Sequence, residues 1–542
     1  MTLTLKRPRS VATFVFAMAG LCALLLASPG ETVTTKYLND LFIFLDGVHR
    51  IDQGQVPNRD FHTALGPLVY YIPVLGYWLS GTFGGAMPVG MAILVVAMAP
   101  IAAHALGSRL RPMICLPLAA FLLLVLAVPI NIGESIGALS FGMFYNRIGW
   151  AALGILLVLH LHPLRPGRSG GVLDALCATA LILLMLYTKI SYALVGLAFL
   201  VLLLLDSKQR RWAAAALVAV PLGAYGVELA WGGTLGHVED LRLASRVSGS
   251  LAQVNDLVAI VFRNLSDFVL YTLIAVLVLW RTRSIRHLLY FGFCAGSGWA
   301  LISQNFQQTG VVTLGVGAAV AAEMLARSHA AQPTPRSSVT TGAHLLLLAM
   351  LLPMTLHNAA ALGLHSTLAT VRHGDPVPLE RFEGVRLARL WFDGPYPYPM
   401  FVRYMASLRD GAAALGSVDG GAERVVVLDF VNPFTAGLGL KPPQGDSTWH
   451  HWGRTINEES FLPAEELFRD VRLVMEPKWA VEESTATGMR QIYADHLSDR
   501  YEVAVETADW RIHVSRPSPA ETVSRSPASD PEPESARPAS GG

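Results

Sequence analysis

The chain has 542 residues, 52% of them hydrophobic and only 15% charged, with a mean hydropathy of +0.44. Its 41 Lys and Arg nearly cancel its 40 Asp and Glu, leaving +1. No basic patch with interleaved aromatics is present to follow a phosphate backbone, which sets nucleic acid aside as a partner. Repeated apolar runs near the roughly 20 residues that cross a bilayer make this a polytopic membrane protein. Cys22, Cys115, Cys177 and Cys294 all lie inside apolar runs and read as small hydrophobes, not as disulfide partners or a metal cluster.

In chain order, spans are expected near 11 to 29, 86 to 106, 113 to 130, 146 to 162, 172 to 188, 190 to 205, 212 to 231, 258 to 280, 286 to 304, 310 to 327 and 342 to 362. The first run, 11 to 27, follows Lys6, Arg7 and Arg9 and has the make-up of a signal peptide, but with so much membrane helix after it an uncleaved first helix is the preferred reading. The positive-inside rule puts Arg109, Arg111, Arg165, Lys208, Arg210, Arg211, Arg281, Arg283 and Arg286 in the cytoplasm. Asp40, Asp46, Asp52, Asp60, Glu134, Glu239, Asp240 and Asp256 then gather outside, although Arg242 and Arg246 join them. Eleven crossings place the N-terminus in the cytoplasm and the C-terminus outside, in an inner membrane of bacterial type.

The first outer loop, 30 to 85, carries the densest polar chemistry. Leu41, Phe44, Leu45, Val48 and Ile51 share one side of a helix whose other side holds Asp46, His49, Arg50 and Gln53, the pattern of a helix lying in the membrane interface. The run 67 to 83 has Pro73 and Gly76 in its middle and Tyr70, Tyr71, Tyr77 and Trp78 along it, which suits a second interfacial helix. After Leu362 the composition turns soluble. Strand-like runs at 424 to 430, 471 to 475, 501 to 506 and 510 to 515, with helical patterns at 382 to 392, 400 to 415, 463 to 469 and 485 to 497, describe one α/β domain over 366–515. Residues 516–542 are rich in Pro, Ser and Glu and read as a disordered tail. The fold class is therefore mainly α: a membrane helix bundle over 1–365 with two juxtamembrane helices, followed by a soluble α/β domain.

Within the outer loop the residues run Tyr37-Leu38-Asn39-Asp40, Gln53-Gly54-Gln55-Val56-Pro57, Asn58-Arg59-Asp60-Phe61-His62 and Gly66-Pro67-Leu68-Val69-Tyr70. This order resembles the first outer loop of the GT-C glycosyltransferases, the group with the protein O-mannosyltransferases and the lipid A aminoarabinose transferases. The resemblance covers the first 150 residues and implies transfer of a sugar from a polyprenyl phosphate donor to a glycan, lipid or protein acceptor at the outer membrane face. It puts Asp40 at the position of the family's catalytic aspartate, Arg59 or His62 near the donor phosphate, and Glu134 as the acidic residue of the second outer loop.

The chemistry asks for the same residue types. A carboxylate that deprotonates an acceptor hydroxyl contributes about 10²–10⁴-fold as general base, and cations must hold the departing phosphate. Asp40 is the first candidate base and Asp60 the second; the plain alternatives are an N-cap for Asp40 and a solvated turn for Asp60. Arg147 starts a helix at the outer surface, Lys189 sits between two apolar runs with almost no loop, and Arg242 and Arg246 share one helix face, so all four are candidate phosphate contacts. Snorkelling or solvation is the alternative for each. Trp449-His450-His451-Trp452 suits sugar stacking better than zinc, because adjacent histidines rarely reach one ion. No cofactor is demanded, and a divalent metal ion is left open. The competing readings are a lipid or polysaccharide flippase and a non-enzymatic envelope assembly scaffold, but the carboxylates gather at one surface and no internal repeat is present, unlike most transporters.

Overall fold

The computed structural model describes residues 8–165, 170–248, 254–304, 307–330, 338–390 and 398–516. The tail expected over 516–542 lies, apart from Arg516, outside the described residues. Fifteen helices make up the first part: α1 (Pro8–Ala27), α2 (Leu38–Asp52), α3 (Leu68–Ser80), α4 (Phe83–Gly107), α5 (Pro112–Ala127), α6 (Phe144–Val158), α7 (Gly170–Leu186), α8 (Ile190–Leu203), α9 (Arg210–Trp231), α10 (Thr234–Ser248), α11 (Val254–Arg263), α12 (Leu265–Thr282), α13 (Ile285–Ser303), α14 (Val312–Ala330) and α15 (Ser338–Thr370). The eleven expected spans fall on α1, α4 to α9 and α12 to α15. Among the described residues five of these are individually long and apolar enough to cross a membrane: α1, α4, α9, α12 and α15. The run expected at 258 to 280 is broken at Asn264, whose amide donates to Ile260 O and Gln308 O and accepts from Gly310 N, so the break ties α12 to the loop before α14. At the far end of α4 the basic loops are neutralised by carboxylates inside the bundle, Arg109 by Asp174 at 2.6 Å and Arg286 by Asp206 at 2.6 Å.

The two surface helices of the first outer loop are present as α2 and α3, but the polar face of α2 is not open to water. Asp46, His49 and Arg50, expected on a wet polar face, are all 1% exposed or less. The C-terminal domain covers them, and each finds a partner there or along its own helix, which is why burying them is tolerated. His49 Nε2 donates to Leu440 O at 2.7 Å while its Nδ1 accepts from Arg381, and burial pushes the imidazole down to about 4.

The C-terminal part holds α16 (Tyr398–Gly416), α17 (Phe434–Leu438), α18 (Ala464–Leu467), α19 (Glu483–Ile492) and α20 (Ala494–Arg500). Its strands β4 (Val425–Val427), β5 (Leu473–Pro477), β6 (Tyr501–Glu506) and β7 (Trp510–Ser515) form one sheet in the order β4-β5-β7-β6, parallel between β4 and β5 and antiparallel elsewhere. A second, small sheet joins the two halves of the chain: β1 (Thr32–Thr34), directly after α1, pairs in parallel with β3 (Val385–Leu387), which also pairs with β2 (Asp375–Pro376). The helix expected at 382 to 392 is thus a single 3₁₀ turn over Glu380–Phe382 and then strand β3; residues 391 and 392 lie outside the described residues. Period two governs here, with Val385 and Leu387 buried and Arg386 turned out to Glu31 at 2.8 Å.

The 53 to 66 turn is anchored to the helix bundle at Gly66. Gly66 N donates to Thr188 O and Leu68 N to Tyr187 O, and a Cβ on Gly66 would stand 2.2 Å from Tyr187 O and 2.8 Å from Thr188 N. These are backbone atoms that cannot swing away. Gly66→Ala is expected to lift the loop off the α7–α8 turn and to cost about 1–3 kcal/mol of overpacking strain, read as a fall in midpoint in a thermal melt of the detergent-solubilised protein.

Candidate active site

Asp40 lies in the first turn of α2, not at its cap. The cap residue is Tyr37, held in the left-handed region at φ 57 with no side-chain capping bond, so the expected N-cap role of Asp40 is corrected by one turn of chain. Met143 starts α6 the same way, at φ 54. Both conformations are uncommon for residues with a Cβ, and both residues stand where two cavities meet.

The first cavity, about 440 Å³, lies between α2 and the C-terminal domain, with Asp40, Phe44 and Tyr145 on one side and Phe430, Trp449, His451, Arg454 and Glu482 on the other. The second, about 380 Å³, is lined by Asn131, Glu134, Asn146, Arg147, Gln307 and Gln308. Lys36, Tyr37 and Met143 line both and form the shared wall.

In the first chamber burial lifts the Asp40 carboxyl to about 7; Arg454 opposes the rise, and the nearby charges of Glu134 and Glu482 add to it. A carboxylate poised there is suited to take a proton near neutral pH. The opposite wall is braced by Asp429 at the end of β4. Its buried carboxylate, raised to about 7 by burial, accepts from Phe430 N at 2.7 Å, Val481 N at 3.1 Å and Glu482 N at 3.3 Å, which fixes two segments of the wall to each other.

The second chamber is a place for an anion. Arg147 is 1% exposed; its Nη1 donates to Ile130 O at 2.8 Å, while Nε and Nη2 are buried with no hydrogen-bond partner, and no carboxylate neutralises it among the described residues. A buried cation left in that state is costly, and a bound anion would relieve it. Glu134 accepts from Tyr37 Oη at 2.6 Å and pairs with Lys36 at 3.1 Å across the shared wall. Lys189, between α7 and α8, donates to Asn146 Oδ1 at 3.0 Å and packs over the Tyr145 ring, so it reaches the boundary of the two chambers.

The structure therefore brings together Asp40, Glu134, Arg147 and Lys189 and leaves the other sequence candidates outside. Asp60 accepts from Val56 N at 2.8 Å and stabilises its own turn, outside the lining of both chambers. Arg59 is exposed and donates to Trp231 O at 3.4 Å. Neither ring nitrogen of His62 is open to a phosphate: Nδ1 meets Asp240 at 2.6 Å and Nε2 meets Glu466 at 3.3 Å, pinning the loop to α10 and to the C-terminal domain. Arg242 and Arg246 point away from both chambers on the exposed face of α10. The alternating Trp449-His450-His451 segment splits its work, with Trp449 and His451 on the cavity and His450 turned inward to Asp446 at 3.5 Å. Among the described residues no group of three or more His, Cys, Asp or Glu is placed to hold a metal ion.

Fold and site together define a multi-pass helical protein whose soluble domain closes over a double chamber, with an acid on one side and an unpaired cation on the other. No family model and no curated protein matches the chain by sequence. Among solved structures it is similar to ArnT from Cupriavidus metallidurans in the apo state, at 14% identity over 93% of this chain and 98% of that one, with a TM-score of 0.42. It is also similar to the Archaeoglobus fulgidus oligosaccharyltransferase in complex with Zn and sulfate, at 11% identity over 85% of this chain and 67% of that one, with a TM-score of 0.35.

Proposed function

We propose that this protein is a membrane glycosyltransferase that moves a sugar from a polyprenyl phosphate donor to a hydroxyl acceptor on the outer face of the membrane. The observation that carries the reading is the pairing of a near-neutral carboxyl, Asp40, with a buried and uncompensated arginine, Arg147, in chambers that share one wall. Asp40 takes the acceptor proton, the acceptor oxygen bonds to the anomeric carbon, and the bond from that carbon to the phosphate oxygen breaks. The leaving phosphate gains charge as it departs, and Arg147, with Lys36 and Lys189 at the boundary, stabilises that charge. A transporter would need a route through the bilayer; these charges instead stand at one end of the bundle, beneath the soluble domain.

The test is turnover of a polyprenyl phosphate sugar by the purified protein in detergent, followed by release of polyprenyl phosphate. Arg147→Gln is expected to raise KM for this donor roughly 10- to 100-fold, the equivalent of the ~1.5–3 kcal/mol of a hydrogen bond to a charged group. An unchanged donor KM in a folded variant removes Arg147 from the phosphate site.

A further inference from the structure

The first chamber is larger than proton abstraction needs, and its far wall has a composition of its own. Phe430, Trp449 and His451 form a closed aromatic triangle, with centroids 5.4 Å apart for Phe430 and His451, 6.0 Å for Trp449 and His451 and 6.2 Å for Phe430 and Trp449. All three line the cavity, and Arg454 and Glu482 flank them. The Trp449 indole N–H is buried with no partner, so it is a donor not yet committed. A volume of about 440 Å³ falls within the range of about 300–1,000 Å³ typical of small-ligand sites.

We infer that this chamber is a saccharide subsite built by the C-terminal domain, and that the ring it takes is the acceptor's. A sugar ring presents apolar C–H faces and a rim of hydroxyls. Aromatic side chains suit the faces, and a carboxylate, a guanidinium and an indole N–H suit the rim. A lipid tail offers no hydrogen bond to the indole N–H and would set hydrocarbon against the charges of Arg454 and Glu482. A phosphate would meet Lys36 and Arg454 but also Asp40 and Glu482, so this lining offers it no net positive charge.

The assignment to the acceptor rests on the transferase reading above. Asp40 lines this chamber and not the second, whereas Arg147 lines the second and not this one. The group bearing the hydroxyl that Asp40 deprotonates therefore enters on the aromatic side, and the phosphate leaves on the arginine side. The anomeric carbon crosses at the wall shared by Lys36, Tyr37 and Met143. The backbone bonds from Phe430, Val481 and Glu482 to Asp429 hold the aromatic wall in shape before any ligand arrives.

Saturation-transfer NMR on the detergent-solubilised full chain, with methyl glycosides of common pentoses and hexoses offered one at a time, tests the subsite. Saturation is expected to reach the ring protons of at least one glycoside, to fall at least tenfold in Trp449→Ala and to survive in Trp449→Phe. It is expected to persist in Arg147→Gln, which lies in the second chamber and not in this one. Absence of transfer to every glycoside, or unchanged transfer in a Trp449→Ala protein that melts like the parent, overturns the saccharide site. In turnover with the polyprenyl phosphate sugar and the glycoside that binds, Trp449→Ala is expected to raise acceptor KM at least tenfold with donor KM unchanged. A rise in donor KM instead gives the ring to the donor and overturns the acceptor assignment. Full activity in Asp40→Asn would defeat the transferase reading while leaving the glycoside result standing.

Discussion

Asp40→Asn is expected to lower turnover by about 10²–10⁴-fold, the usual contribution of a general base, with the protein fully folded. Parent activity is expected to rise with pH through about 7 and to level above it, because the carboxyl must be ionised to accept a proton and burial has lifted it to about 7. The variant's residual activity should lack that acid limb. Stability supplies an internal control. A carboxyl whose folded value lies above the usual carboxylate range costs stability when ionised, so the cost is complete above pH 7 and fades as the pH falls toward 4. Asparagine carries no charge, so the variant should melt higher than the parent at pH 8, with the gap closing by about pH 4. A variant that is inactive and melts lower at pH 8 would assign Asp40 to structure, and one that keeps full turnover would end its catalytic role.

Periodicity made much of this architecture legible. The eleven apolar runs fall on helices, and the strands at 501 to 506 and 510 to 515 coincide with β6 and β7. Arg147 and Lys189 could be picked out because charge amid membrane helix is rare and needs a reason, and Asp40 and Glu134 because of the resemblance of the outer loops. The remaining candidates stand outside the two chambers. His62 and Arg59 are as polar as the chamber residues, but their partners, Asp240, Glu466 and Trp231, are set by the tertiary fold, whereas Asp60 closes its own turn on Val56. The other half of the site was hidden by sequence distance: Arg454 and Glu482 stand more than 400 residues after Asp40 and meet it only across the domain interface. The aromatic and histidine cluster at 449 to 452 was the one local signal of that half. Likewise, an amphipathic pattern shows that α2 has a polar face but not whether water or another domain covers it.

That covered face gives the second large effect. Arg50, 0% exposed, binds Asp46 through Nε at 2.7 Å and Asp446 through Nη2 at 2.8 Å, and its Nη1 donates to Pro443 O at 2.9 Å. One guanidinium thus joins the helix that carries Asp40 to the domain that carries Arg454 and Glu482. Arg50→Met leaves Asp46 and Asp446 buried without their cation, and such a loss costs about 3–5 kcal/mol. The expected result is release of the C-terminal domain from α2, seen as rapid proteolytic cutting between the two and as loss of sugar transfer at temperatures where the parent is active. Charge, not shape, is the cause under this account. The triple variant Arg50→Met, Asp46→Asn, Asp446→Asn removes all three charges together and should recover most of the resistance to protease. If the triple variant is cut as fast as Arg50→Met, the junction depends on the geometry of the guanidinium's hydrogen bonds, because neutral partners then fail to hold α2 against the domain and Asp40 loses its lid by a different route.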